Sequence, residues 1–163
     1  MRRPLKEKQK HPAIKDRKYD SVTVTKLVNY VMIGGKKSTA QRAVYDALDE
    51  MKKAGHEDPA ALLETAIQNV APTMEVRSRR VGGANYQVPF PVRPERQLAL
   101  SLRWILGGVR GKKGAPFGTR LATELILASK GEGEAMKKRE TVHRMAEANK
   151  AFAHFAFSRT QKK

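Results

Sequence analysis

The chain has 163 residues, 40% hydrophobic but only 6% aromatic, and it sets 33 Lys and Arg against 16 Asp and Glu, for a net charge of +17 and a pI near 10.4. Such a surplus repels itself in a compact state and attracts polyanions at long range, so a nucleic-acid partner is the first expectation. Having no cysteine, the chain can form no disulfide, thiolate zinc site or thiol nucleophile, and no apolar run approaches the ~20 residues that a membrane-spanning helix needs.

The first 18 residues, "MRRPLKEKQKHPAIKDRK", lack the apolar stretch of a signal peptide, and Glu7 and Asp16 are out of place in a transit peptide. Lysines and arginines, together with Pro4, His11 and Pro12, mark residues 1–19 as an extended basic arm that orders on its partner.

Helical spacing follows. Val24, Leu27, Val28 and Val31 fall at i, i+3, i+4 and i+7, and Gly34-Gly35 closes that helix. A second helix is expected after Ser38 as N-cap, with Ala40, Ala43, Val44, Ala47, Leu48 and Met51 forming its apolar stripe and Gly55 ending it. A third opens at Asp58-Pro59, a capping acid before a proline suited to the first turn, and presents Leu62, Leu63, Ala66, Ile67 and Val70 before Pro72. Lys36 and Lys37 lie in the loop after the first helix, where its C-terminal dipole favours cations.

The period then changes to two. Met74 and Val76 alternate with Glu75 and Arg77, and after "GGAN" the alternation resumes at Tyr86, Val88, Phe90 and Val92. Two such runs around a Gly/Asn loop predict a β-hairpin over about 73–92. Pro89 and Pro91 cannot donate to a ladder and confine that strand to an edge. A two-stranded ribbon is marginal by itself, so it is expected to project from a helical body. Arg77 and Arg79 share one side with Arg80 beside the turn, Tyr86 offers a ring for stacking on a base or sugar, and Gly82 and Gly83 let the tip approach a backbone closely.

Helical spacing returns after Arg93-Pro94 with Leu98, Leu102, Ile105, Leu106 and Val109, and Arg96, Arg103 and Arg110 recur every seven residues on one face. Continued by Lys112 and Lys113, this row reads as a phosphate-tracking stripe with only Glu95 near it. Gly107, Gly108 and Gly111 would fray the last turns and end the helix early. A fifth helix carries Phe117, Leu121, Leu125 and Ala128, and a sixth is expected from about Glu134 to Phe155 with Lys137, Lys138, Arg139 and Arg144 at its start. Trp104 reads as core, while Phe152, Phe155 and Phe157 call for packing near the chain end. The fold class is mainly α: one domain of about six helices, with one projecting β-hairpin between helices three and four.

No catalytic constellation emerges. "GGKKST" fails as a phosphate loop because Tyr30 stands where the first glycine belongs and Lys37 intervenes before Ser38; "RGKKG" fails with Leu106 at the same place. His143, Glu147 and His154 share a helical face, but i to i+11 spans about three turns, too far for one ion. No metal, cofactor or small-molecule substrate is expected. Two classes stay open on composition alone: an architectural DNA-binding protein using a cationic β-arm, and a structural protein that reads folded RNA.

The run "EVRSRRVGGANYQVPFPVRPERQLALSLRWI", with "LVNYVMIGGKKSTAQRAVYDAL", "NVAPTMEVRSRRVGG" and "KKRETVHRMAEANKAFAHF", resembles bacterial-type small-subunit ribosomal protein seven, from about Asp20 to Phe155. The resemblance implies a non-enzymatic constituent of the small ribosomal subunit in the bacterial cytoplasm. It implies a primary binder of the three-prime major domain of small-subunit ribosomal RNA that nucleates assembly of the subunit head. It also implies a ribbon near exit-site tRNA and messenger RNA, and neighbours that include ribosomal proteins nine and eleven. Carried onto this sequence, Arg77, Arg79, Arg80, Gly82, Gly83, Asn85 and Tyr86 form the ribbon site. The ribosomal RNA footprint comprises Arg2, Arg3, Lys6, Lys8 and Lys10 of the arm, Lys36 and Lys37, Arg93, Arg96, Arg103, Arg110, Lys112 and Lys113, and Lys137, Lys138, Arg139, His143 and Arg144. The domain proper then covers 20–156 and a basic tail 157–163; the ending "AFAHFAFSRTQKK", residues 151–163, stands in place of the Tyr-Arg-Trp ending of many bacterial members.

Overall fold

A computed structural model describes residues 14–156; Arg2, Arg3, Lys6, Lys8 and Lys10 of the arm, and the tail from 157, lie outside them. The order is α1 (Val22–Val31), α2 (Lys37–Lys53), α3 (Pro59–Val70), β1 (Met74–Val81), β2 (Ala84–Pro91), α4 (Pro94–Gly111), α5 (Phe117–Ser129), α6 (Glu134–Ala148) and a 3-10 segment, Lys150–Ala156. Six α-helices with a hairpin between the third and fourth match the expected architecture.

The apolar stripes account for the core. Val24, Leu27 and Val28 of α1, Val44, Leu48 and Met51 of α2, Leu63 and Val70 of α3, Leu102 and Ile105 of α4, and Leu121 and Leu125 of α5 are all at most 2% exposed. Helix α5 packs against α2, α3, α4 and α6, which makes it the central strut. Asp58 caps α3 by accepting from the N–H groups of Ala60 and Ala61 at 3.0 Å. Ser38 does not cap α2: that helix begins at Lys37, with Lys36 at the N-cap and no side-chain cap. The two glycines before it, both at positive φ, turn the chain so tightly that the helix starts before the serine.

The ribbon pairs Met74 with Pro91 through Val81 with Ala84. Its loop is shorter than the sequence led us to expect, only Gly82 and Gly83, at φ +57° and +90°. Two successive positive φ values define the hairpin turn whose twist matches that of the strands, and glycine adopts both without penalty.

Two further expectations are corrected. Helix α4 does not end early. Gly107 and Gly108 lie within it, and Arg120 reaches back to donate from Nη1 to the carbonyls of Val109 (3.0 Å) and Lys112, closing the carbonyl end that a frayed turn would leave open. Helix α6 does not continue to Phe155. It stops at Ala148, and the 3-10 segment takes over; because side chains three apart eclipse in that geometry, Phe152 and Phe155 stack, with centroids 6.3 Å apart. On β1, Glu75 is 7% exposed while Met74 and Val76 are half-buried.

The end of the basic segment is docked. Buried Asp16 accepts from the N–H groups of Lys18 (2.9 Å) and Tyr19 (3.2 Å) and from the Tyr45 hydroxyl (2.9 Å). Lys18 Nζ and the Tyr19 hydroxyl both reach Asp49 on α2. Residues 14–19 thus lie on the body of the fold.

Candidate nucleic-acid interface

Packing of α6 against both the ribbon and α4 gathers cations that lie far apart in the sequence. At the ribbon root, Arg77, Arg93 and Arg96, with Phe90, Pro91 and Val92, line a recess of about 480 Å³. Farther along α4, Arg103, Trp104 and Lys112 share a recess of about 530 Å³ with Glu134 and Lys138 of α6. At the far end of α4, Arg110 and Lys36 border a third of about 640 Å³ with Ile33 and Phe117.

These cations divide by what they already hold. Arg80, Arg93, Arg103, Lys113, Lys138 and Arg144 have no side-chain partner among the described residues, so their N–H donors face outward. Lys36 and Lys37 belong with them, and their placement corrects the sequence reading. They occupy the N-cap and first position of α2, where the helix dipole disfavours positive charge; helix stability does not explain them.

Other residues are committed within the protein. Lys112 Nζ donates to Glu124, a fully buried carboxylate of α5, at 2.6 Å. Arg110 contacts the Val31 carbonyl at 3.3 Å, and Arg139 donates to the Asn69 carbonyl at 2.6 Å. Lys137 pairs with Glu134 at 2.8 Å, which raises the lysine pKa through that hydrogen bond and lowers the glutamate's. His143 Nε2 accepts the N–H of Thr73 at 3.1 Å, and burial, aided by the Arg139 charge, holds its pKa below the usual value.

The ribbon is likewise mixed. Arg79 donates to the carbonyls of Phe155 and Ala156 (3.3 Å to the latter). The Tyr86 ring packs on Phe152 and Phe155 at 5.1 and 5.3 Å between centroids, so its stacking capacity is used by the 3-10 segment. Arg80 and Asn85, paired across the ladder beside the turn, remain exposed at the tip with Gly82 and Gly83. Arg77 and Arg96 both meet Glu75. That acid was missed as a functional residue because its place in the alternation reads as an outward-facing polar residue. The two arginines drawn to it, one local and one 21 residues away, are the reason it is buried.

Apolar walls, most of them only partly buried, with outward guanidinium groups and little acid among them, suit phosphate and sugar contacts. They offer no nucleophile or general base. Among the described residues no cluster of potential ligands could hold a metal ion, and no helix is long and apolar enough to cross a membrane.

Residues 1–150 match the family model described as ribosomal protein S7p/S5e. Relatives named small ribosomal subunit protein uS7 include that of Cellvibrio japonicus, 53% identical over 148 residues (91% of this chain, 95% of the relative). The protein of Teredinibacter turnerae is 54% identical over 150 residues (91% and 95%), and that of Rhodopirellula baltica 53% over 146 (88% and 93%).

Proposed function

The chain belongs to the ribosomal protein S7p/S5e family, structural and non-enzymatic, and from that premise we propose that it binds the three-prime major domain of small-subunit ribosomal RNA and nucleates assembly of the subunit head. The bacterial relatives make it a component of the small ribosomal subunit, with ribosomal RNA as its general partner and the bacterial cytoplasm as its location. The observation that carries the finer reading is the row of exposed cations with no side-chain partner among the described residues: Arg80 at the ribbon tip, Arg93 at the N-cap of α4 and Arg103 within it, and Lys138 and Arg144 on α6. Arg93, Arg103 and Lys138 border open recesses on this surface. A row of this kind follows a phosphate backbone around a folded RNA. Lys36, Lys37 and the arm residues extend the footprint. The exposed tip, Arg80 to Asn85, reaches toward exit-site tRNA and messenger RNA, and ribosomal proteins nine and eleven adjoin it in the subunit.

The test is competition. A folded three-prime-domain ribosomal RNA fragment is bound at physiological salt and challenged with equal masses of duplex DNA and of unrelated structured RNA. Retention of the fragment, weakened more by Arg103→Ala than by Arg80→Ala, supports the reading. Equal displacement by duplex DNA replaces it with the alternative of a cationic architectural DNA binder.

A further inference from the structure

Glu75 is an acid inside a basic surface. Opposite Phe90 in the ladder, its carboxylate accepts on Oε1 from Arg77 Nε (2.6 Å) and Nη2, and on Oε2 from Arg96 Nε and Nη2, both at 3.3 Å. One arginine stands on β1 and the other in the first turn of α4, so a single carboxylate joins ribbon to body. Arg77 also lies 5.4 Å over the Phe90 ring. A guanidinium has five N–H donors, and the two arginine side chains stay 57% and 43% exposed. Each therefore keeps donors for a ligand while the Glu75 contact fixes its plane. Arg93, with no side-chain partner among the described residues, completes the rim.

We infer that this recess is a subsite for one unpaired nucleotide of the bound RNA, and that Glu75 is its positioning residue. The phosphate lies on the guanidinium groups of Arg77, Arg93 and Arg96, and the base lies against Phe90 and Pro91. The inference rests on RNA being the partner. A volume of about 480 Å³ falls within the ~300–1,000 Å³ of ordinary ligand sites. Three guanidinium groups attract a phosphate, and ordering two of them in advance removes part of the rotamer entropy that flexible arginines lose on binding. The same acid also keeps Arg77 and Arg96 together despite their like charge.

Electrostatics and positioning give opposite signs for one substitution, which makes the inference testable. Glu75→Gln deletes a negative charge from the recess, so if charge alone matters, anions bind more tightly. If Glu75 positions the arginines, anions bind less tightly.

The full chain is titrated with adenosine 5′-monophosphate, adenosine and inorganic phosphate, following the Nε–Hε NMR signals of its arginines. The nucleotide should shift Arg77, Arg93 and Arg96 saturably, more than Arg103 or Arg110, and should bind about fivefold or more tighter than phosphate or adenosine alone. Glu75→Gln should weaken it about threefold to tenfold. Arg93→Ala should weaken it comparably with an unchanged thermal midpoint, which covers the case in which Glu75→Gln loosens the ribbon.

Tighter or unchanged binding by Glu75→Gln overturns the positioning role. Equal responses to nucleotide and phosphate, or equal shifts at Arg103, overturn the subsite. The titration uses no ribosomal fragment, so a failed competition with an intact subsite rejects the RNA assignment alone, and the reverse rejects only the subsite.

Discussion

The ammonium of Lys112 lies 2.6 Å from Oε2 of Glu124, a carboxylate with no exposed surface, whose other oxygen accepts the N–H of Ala135 at 3.1 Å in the first turn of α6. Glu124 thereby ties three helices: its own α5, the end of α4 through Lys112, and the start of α6, where an acid complements the dipole. Lys112 reads in sequence as one more phosphate contact, yet its first task is to neutralise this buried charge. We expect Lys112→Met to destabilise the fold by about 3 kcal/mol, the low end for stranding a buried ion because the lysine itself is partly solvated. Glu124→Gln should cost less, since the charge left without its partner, the Lys112 ammonium, is 37% exposed and can turn to solvent. Urea midpoints of the two variants check the order; a Lys112→Met protein as stable as the parent removes the proposed role.

The glycines of α4 give an internal contrast. A Cβ at Gly108 would sit 3.0 Å from the Glu134 Cβ and 3.3 Å from Glu124 Oε1, whereas one at Gly107 or Gly111 would meet nothing within 4 Å. Only Gly108 lets α4 close on the start of α6. Gly107→Ala should therefore raise stability by roughly 0.5–1 kcal/mol through helix propensity, shifting the thermal midpoint up by roughly 2–4 °C per kcal/mol for a chain of this size. Gly108→Ala should lower it despite the same propensity gain, because the Glu134 Cβ cannot retreat without moving α6. Calorimetry of both variants decides; a rise in each would show that α6 gives way.

Periodicity and punctuation made most of this fold legible. Val24 to Val31 and Leu102 to Val109 declared their buried faces, and Asp58-Pro59 and Gly82-Gly83 declared a cap and a turn. What stayed hidden were contacts joining residues distant in the chain. Sequence spacing shows neither the arginines that converge on Glu75 nor the lysine and helix start that satisfy Glu124. Tyr86 read as a stacking platform because nothing local reveals that the 3-10 segment brings Phe152 and Phe155 onto it. The cationic surface was legible as an inventory of lysines and arginines. Which of them are free was not, because that depends on carbonyls such as Val31 and Asn69, and every residue has a carbonyl.

His143 supplies a pH dependence with a definite sign. Its Nε2 accepts the Thr73 N–H at the ribbon root, a role open only to the neutral ring. Burial first, and the Arg139 charge second, lower its pKa from the ordinary 6.5; Glu147 and Lys150 border the same recess. A histidine whose folded pKa is depressed binds fewer protons in the native than in the unfolded state, so stability rises with pH across the interval between the two values. Its contribution is complete above the unfolded value, declines as pH falls below about 6.5, and is gone once pH passes the lower folded value. We expect the difference in urea midpoint between the parent and His143→Gln to be largest near pH 8 and to shrink by pH 5, while variants remote from this recess keep a constant difference. The Thr73 amide should lose exchange protection over the same interval. A difference that holds from pH 8 to pH 5 would mean that the ring binds protons equally in the folded and unfolded states, and that the Thr73 contact does not depend on a neutral His143.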